Sequence, residues 1–188
     1  MLNTSRRTAL LTLATGAAAA PLLLAVQRAG AQTAPAEGGD QSDYVVQTLT
    51  VGSVALQTSQ IAAEKATDPR VQEFAGLEVG EQQAIASVLS ATEAGRTPPE
   101  LPAEEAAKIE ELNGVEAGPE FDAAYIQGQI DGHNRLLEIQ RTLSGETVAT
   151  LEAVTAKLAE QAVTSHLAML NHIQAQLGQD NAEGQAQG

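Results

Sequence analysis

Cysteine is absent from this chain of 188 residues, and so is tryptophan. Without cysteine there is no disulfide, no thiolate metal site, no cysteine nucleophile and no lipid-modified cysteine anchor. Aromatic residues are nearly as scarce: Phe74, Phe121, Tyr44 and Tyr125 are all there are. Clusters of β-branched and aromatic residues, the mark of strands, are correspondingly rare, and the abundance of Ala, Gln, Glu and Leu leans all-α. Positive charge is short as well. Ten Lys and Arg face 24 Asp and Glu, a net charge of −14. Such a surface repels nucleic acid and anionic lipid, and excludes both as partners. Neither Ser-x-x-Lys nor Gly-x-Ser-x-Gly occurs, and no glycine loop is built to cradle phosphate, so no nucleophilic or phosphoryl-transfer constellation is present.

What is present begins at the amino terminus. Arg6 and Arg7 precede an uncharged run from Thr8 to Gln27, and Ala29-Gly30-Ala31 follows. A charged region, an apolar region and an A-x-A cleavage site in that order read as a signal peptide over residues 1–31, cleaved after Ala31. The paired arginines, with Arg28 just before the cleavage site, resemble a twin-arginine signal. The partners this implies are the twin-arginine export machinery and signal peptidase. The expected product is a soluble periplasmic or otherwise exported protein without stable membrane association. Removing Arg6, Arg7 and Arg28 leaves seven basic against 24 acidic residues, a net charge of −17.

Residues 32–41 read as a flexible lead-in. A first helix runs from Ser42 or Asp43 to about Thr67. Asp68-Pro69 then forms a boundary in which Asp caps the next helix and Pro fits its first position. The second helix spans Pro69 to about Ala94 and stops at Gly95, because Pro98, Pro99 and Pro102 follow. A short helix covers Ala103–Leu112. A third long helix runs from Pro119 to about Leu143, and a fourth from Glu146 or Thr147 to about Leu177. Gly178 is expected to end it, leaving 178–188 as a disordered tail. Two tight turns and one long linker of about 24 residues give two antiparallel hairpins joined by a crossover that holds a short helix. That is the one-crossover, ferritin-like four-helix bundle, occupying residues 42–177.

Three blocks carry a family resemblance. Ile61 to Ala75, with Lys65-Ala66-Thr67-Asp68-Pro69 at its centre, is one. Phe121-Asp122-Ala123-Ala124-Tyr125 with His133 is the second. Leu158 with His166-Leu167-Ala168-Met169 is the third. Together they resemble the bacterial domain-of-unknown-function family numbered 4142, over residues 43–177. The resemblance implies an exported ferritin-like fold and no known activity. Against the family pattern, Glu81-Gln82 stand where Asp-His is usual, Ala55 where a Glu is common, and Ala159 replaces a Pro. Two of three recurrent histidines are therefore kept.

Few residues can carry chemistry. In helix two, Glu78 and Gln82 interrupt a stripe of Val71, Phe74, Ala75, Ile85, Val88 and Leu89. In helix three, His133 shares a stripe with Ile126, Ile130 and Leu137, and reads first as a core histidine. Asp131 and Arg135 read as a surface pair. In helix four, Leu158, Ala162, His166, Met169, Ile173 and Leu177 form the expected seam, with His172 off it. Counted from the turn near Gly145, His133 and His166 differ by about 8 residues in height, or ~12 Å. On that count they do not share a mononuclear site, and Tyr125 is the expected hydrogen-bond partner of His166. Di-iron sites of this fold use Glu-x-x-His on two helices, and no such motif occurs here. The expectation is therefore a non-catalytic binding or stress-related bundle needing no cofactor. The alternative is an iron or manganese protein drawing on Glu78, Asp131, His133, Glu160 and His166. A third reading, a bundle holding a small apolar ligand, requires a cavity.

Overall fold

The computed structural model describes residues 38–186. The signal segment 1–31, with Arg6, Arg7 and the cleavage point at Ala31, lies outside the described residues. Five helices follow in order: α1 (Gly38–Lys65), α2 (Pro69–Leu89), α3 (Ala103–Gly114), α4 (Pro119–Ser144) and α5 (Leu151–Ala186). No strand occurs among the described residues. No helix among them is long and apolar enough to cross a membrane.

The boundaries follow local chemistry. Asp68 caps α2 by accepting the Arg70 backbone N–H at 2.8 Å, and Pro69 opens the helix. The same turn is clamped by α4. The Asp122 carboxylate, buried in the first turn of α4, accepts from the Thr67 N–H (3.0 Å), the Thr67 hydroxyl (2.7 Å) and the Asp68 N–H (2.9 Å). Helix α2 stops at Leu89, five residues before the expected end. The Thr92 hydroxyl takes the Leu89 carbonyl at 2.6 Å, and the Gly95 N–H donates to the Thr92 hydroxyl. A Cβ at Gly95 would lie 2.1 Å from the Leu89 carbonyl oxygen, so only glycine permits this closure.

Two expectations for the last helix are corrected. It begins at Leu151, because Thr150, and neither Glu146 nor Thr147, supplies the cap: its hydroxyl accepts the Ala153 N–H at 3.1 Å. It also continues through Gly178 to Ala186, where a disordered tail was expected. Leu177 remains buried, and Asp180 pairs with Arg70 of α2 at 2.6 Å, tying the last turns to the bundle. One glycine inside a helix costs only about 1 kcal/mol, which these contacts offset.

Side-chain pairs fix the helix directions. Tyr44 bonds Gln140, Ser59 bonds Tyr125 and Thr67 bonds Asp122, so α1 and α4 run antiparallel. Arg70 meets Asp180 and Glu81 approaches His166, so α2 and α5 do too. The α1–α2 and α4–α5 hairpins complete the bundle, with α3 lying against α1 and α4. The apolar core is divided in two. Val71, Phe74, Phe121, Tyr125, Ile126, Leu170 and Ile173 fill one half, and Tyr44, Leu49, Leu89, Leu136, Ile139 and Val163 the other. Along α2, α4 and α5 a polar residue sits between the halves: Glu78, His133 and His166. The α5 seam runs through Ala156, Ala159, Val163, Leu170, Ile173 and Leu177. Leu158 and Met169, expected on it, are exposed at 69% and 40%. The expected seam holds at Ile173 and Leu177, and before them Ala159, Val163 and Leu170 take the places expected for Leu158, Ala162 and Met169.

Candidate metal centre

Glu78, His133 and His166 converge in the polar layer. Each comes from a different helix: α2, α4 and α5. His133 Nε2 lies 3.2 Å from His166 Nδ1 and 3.5 Å from Glu78 Oε2, and His166 Nδ1 lies 3.1 Å from that same oxygen. The three form a group able to hold a metal ion. An ion holding ligands at about 2.1 Å, with bond angles between about 90° and 110°, needs donor atoms about 3.0–3.4 Å apart. Two sides of the observed triangle, 3.1 and 3.2 Å, fall in that range, and the third, 3.5 Å, lies just above it.

The expected separation of His133 and His166 is thus overturned, for a geometric reason. Residues 145–150 are not helical. His133 lies 11 residues before the end of α4 at Ser144, and His166 lies 15 after the start of α5 at Leu151. The difference is about 4 residues, or ~6 Å, which the lie of the two helices absorbs. The expected Tyr125–His166 bond is absent. The Tyr125 hydroxyl instead pairs with Ser59 of α1 at 2.8 Å.

Neighbouring groups orient each donor. His133 Nδ1 lies 2.8 Å from the Gln129 backbone carbonyl. A carbonyl only accepts, so Nδ1 carries the proton and Nε2 presents a lone pair to the centre. His166 Nε2 lies 3.4 Å from the Glu81 carboxylate, the arrangement that raises the basicity of a ligating imidazole. The Gln82 side-chain amide donates to Glu78 Oε1 at 2.9 Å. A Cβ at position 52 would sit 2.6 Å from Gln82 Oε1, so Gly52 of α1 makes room for this amide. Phe74 closes the apolar side, its ring centroid 6.0 Å from that of His133 and 5.4 Å from that of His166.

Glu78 is fully buried and His133 is 1% exposed, while the His166 side chain reaches solvent at 13%. Burial pushes the Glu78 carboxyl up, but the imidazoles of His133 and His166 and the Gln82 amide outweigh burial and hold it well below the usual carboxylate range. His166 is raised, first by Glu78, against the opposing effect of burial, with the Glu81 charge adding to the rise. Burial raises Glu81. Glu78 Oε2 is buried and receives no aligned hydrogen bond, although it faces the two imidazole nitrogens at 3.1 and 3.5 Å. An ionised oxygen left so in a protein interior costs several kcal/mol, about the effective penalty of burying one ion, unless a cation faces it.

The other expected ligands lie elsewhere. Asp131 is exposed and accepts from Gln127 at 2.9 Å, and Glu160 accepts from Arg141 at 3.3 Å. Arg135 does not pair with Asp131: it bonds Glu105 of α3, which also holds Lys108. His172 is exposed, as its place off the seam implies. The orienting roles of Glu81 and Gln129 escape sequence reading. The four-residue spacing Gln129–His133 is the one local signal, and it concerns Gln129 alone.

Comparison with solved structures finds a similar fold in a protein of the DUF305 family, described as secreted, from Streptomyces coelicolor. The TM-score is 0.63 at 13% identity, covering 74% of this chain and 92% of that one. A comparison with curated proteins finds no match. The family described as Domain of unknown function (DUF4142) matches residues 25–173, most of the chain, and the protein belongs to that family.

Proposed function

We propose that this protein is an exported helical bundle that binds one divalent transition-metal ion through Glu78, His133 and His166. The observation that carries the reading is the orphaned, buried Glu78 Oε2, 3.1 and 3.5 Å from two imidazole nitrogens. Two imidazoles and one carboxylate suit iron, manganese or zinc. A bound ion would supply the positive charge that Glu78 lacks. The chain's own residues do the rest. Gln82 and Gln129 fix the donors, Phe74 keeps one side dry, and Glu81 holds His166 at the partly open edge. The site calls for one ion per chain, unlike the paired Glu-x-x-His sites of di-iron bundles.

The antiparallel α1–α4 and α2–α5 pairings, together with the two hairpins, support a ferritin-like topology in which 90–118 is the single crossover. The Arg6-Arg7 segment, the A-x-A site at 29–31 and the −17 charge of the remainder support twin-arginine export and a soluble product. The competing reading is a bundle in which Glu78 and a charged His166 form a purely structural ion pair. Calorimetric titration of chelator-stripped protein with Mn²⁺, Fe²⁺ and Zn²⁺ separates the two. The metal reading gives saturable binding at one ion per chain, lost in His133→Ala. Absence of binding for all three ions would establish the ion pair instead.

A further inference from the structure

One side of α5 is apolar and faces solvent. Leu151, Val154, Leu158 and Met169 recur along it, with Ala162 and Ser165 in the intervening turn. The steps are 3, 4, 4, 3 and 4 residues, which keep to one side of a helix. Leu77 and Val88 of α2 share the side of their helix that carries Glu81, four and seven residues away. The contacts Glu81–His166 and Arg70–Asp180 set α2 against α5, which brings Leu77 about level with Met169 and Val88 about level with Leu158. The six large side chains are 40–69% exposed. Their exposed parts come to about 500 Å², a size at which patches on soluble proteins are often functional.

The same side is nearly free of charge, in a chain of net charge −14. Between Ala153 and Gln179, α5 carries two Lys, Arg, Asp or Glu side chains, Lys157 and Glu160. Both turn to their own chain. Lys157 bonds the Glu146 carbonyl at 2.8 Å, and Glu160 accepts from Arg141 of α4 at 3.3 Å. On the α2 flank Glu81 faces His166, which leaves Glu73 at the rim. Two such acidic molecules repel over most of their surface, and this side is where they can meet without setting like charges together. Depletion of charge among large apolar residues is also the composition of an interface core. The area agrees. A stable interface buries about 800 Å² per partner, ~65% of it apolar between identical chains, and the exposed apolar surface here matches that share.

We infer that this side of α5, flanked by α2, is the interface of a two-fold dimer of the protein, in which the two α5 helices pack antiparallel. Reversed about its midpoint near residue 160, the stripe is complementary to itself. Leu151 meets the partner's Met169, and Val154 meets the partner's Ser165. Leu158, the most exposed of the six, meets the partner's Ala162. The largest projection thus falls over the smallest side chain. Ala162 and Met169 sit one turn before and one turn after His166, so the second copy also covers the edge at which that side chain reaches solvent.

Sedimentation equilibrium should find a dimer at about 100 µM protein, and Leu158→Glu should weaken association at least about tenfold. Ala162→Glu should do the same. Neither position is buried, so both variants should keep the helical circular dichroism of the wild type. The chain has no cysteine, so introduced thiols report the register. Leu151→Cys mixed with Met169→Cys should give a disulfide-linked dimer faster than either variant alone. In one chain those positions lie ~27 Å apart, so the bond forms between copies. In chelator-stripped protein, diethyl pyrocarbonate should modify His166 more slowly in the wild type than in Leu158→Glu. A wild type still monomeric at that concentration would leave the face to a partner of another kind and overturn the dimer. Association unmoved in both glutamate variants would place the interface elsewhere. Cross-linking as fast in either single variant as in the mixture would overturn the antiparallel register, and equal modification rates would overturn the covering of His166.

Discussion

Loading the Glu78–His133–His166 centre should stabilise the fold by a predictable amount. The three donors are already 3.1–3.5 Å apart, so an ion binds the folded bundle with little rearrangement, and the unfolded chain has no comparable cluster. An ion present at a hundred times its dissociation constant then contributes about 2.7 kcal/mol. For a domain of this size, each kcal/mol moves Tm by about 2–4 °C, an expected rise of about 5–11 °C. Differential scanning calorimetry on chelator-stripped protein, with and without Mn²⁺, Fe²⁺ or Zn²⁺, reads the shift. Glu78→Gln keeps the shape and removes the charge. Its carboxamide should cut the metal-dependent rise to less than about a third. A rise below about 1 °C with every ion in the wild type would refute the reasoning, as would an equal rise in Glu78→Gln.

Three further outcomes follow from other contacts. In the metal-stripped protein, His166 has a raised folded value, so its stabilisation is complete below the ordinary histidine range and is lost as pH rises through that raised value. Glu78 has a lowered value, so its share is present above the ordinary carboxylate range and is lost as pH falls. The urea midpoint of the stripped protein should therefore peak at about pH 5–6.5 and decline toward pH 8.5, between the ordinary Glu and His values. His166→Gln should flatten the alkaline decline, and a midpoint still climbing at pH 8.5 would contradict the account. Asp122→Ala strips three hydrogen bonds from the α1–α2 turn and should lower stability by about 3 kcal/mol in denaturant titration. A loss under about 1 kcal/mol would show that the clamp is idle. Gly95→Ala drives a methyl into the Leu89 carbonyl and should destabilise by about 1–3 kcal/mol, whereas Gly128→Ala should stabilise. Equal effects at the two glycines would argue against the tight closure after α2.

The fold was more legible than the centre. Long Ala- and Leu-rich periodic stretches, Asp68-Pro69 and the Pro98–Pro102 run mark helices and breaks by local rules, and those rules hold where the chain is regular. Boundaries set by tertiary contacts were not legible. Thr150 caps α5 because residues 145–150 turn without forming helix, and α5 runs past Gly178 to where Asp180 meets Arg70. Glu78 was visible as a polar break in an apolar stripe. The cluster was not, because its three ligands lie on three helices and form no local motif. Their meeting depends on axial registers that a single turn can shift by several ångströms. A wrong start for α5 was enough to separate His133 from His166. The same wrong start brought Tyr125 level with His166, while Leu158 and Met169 were placed inside by a separate error in which face of α5 meets the core.

X-ray absorption at the metal edge of the loaded full-length protein tests the central claim most directly. The account predicts a first shell containing two imidazole nitrogens, with their outer-ring scattering, and a carboxylate oxygen at about 2.0–2.2 Å. One imidazole should vanish in His133→Ala and one in His166→Ala. A shell of oxygen alone, or a spectrum unchanged in both variants, would place the ion elsewhere and contradict it.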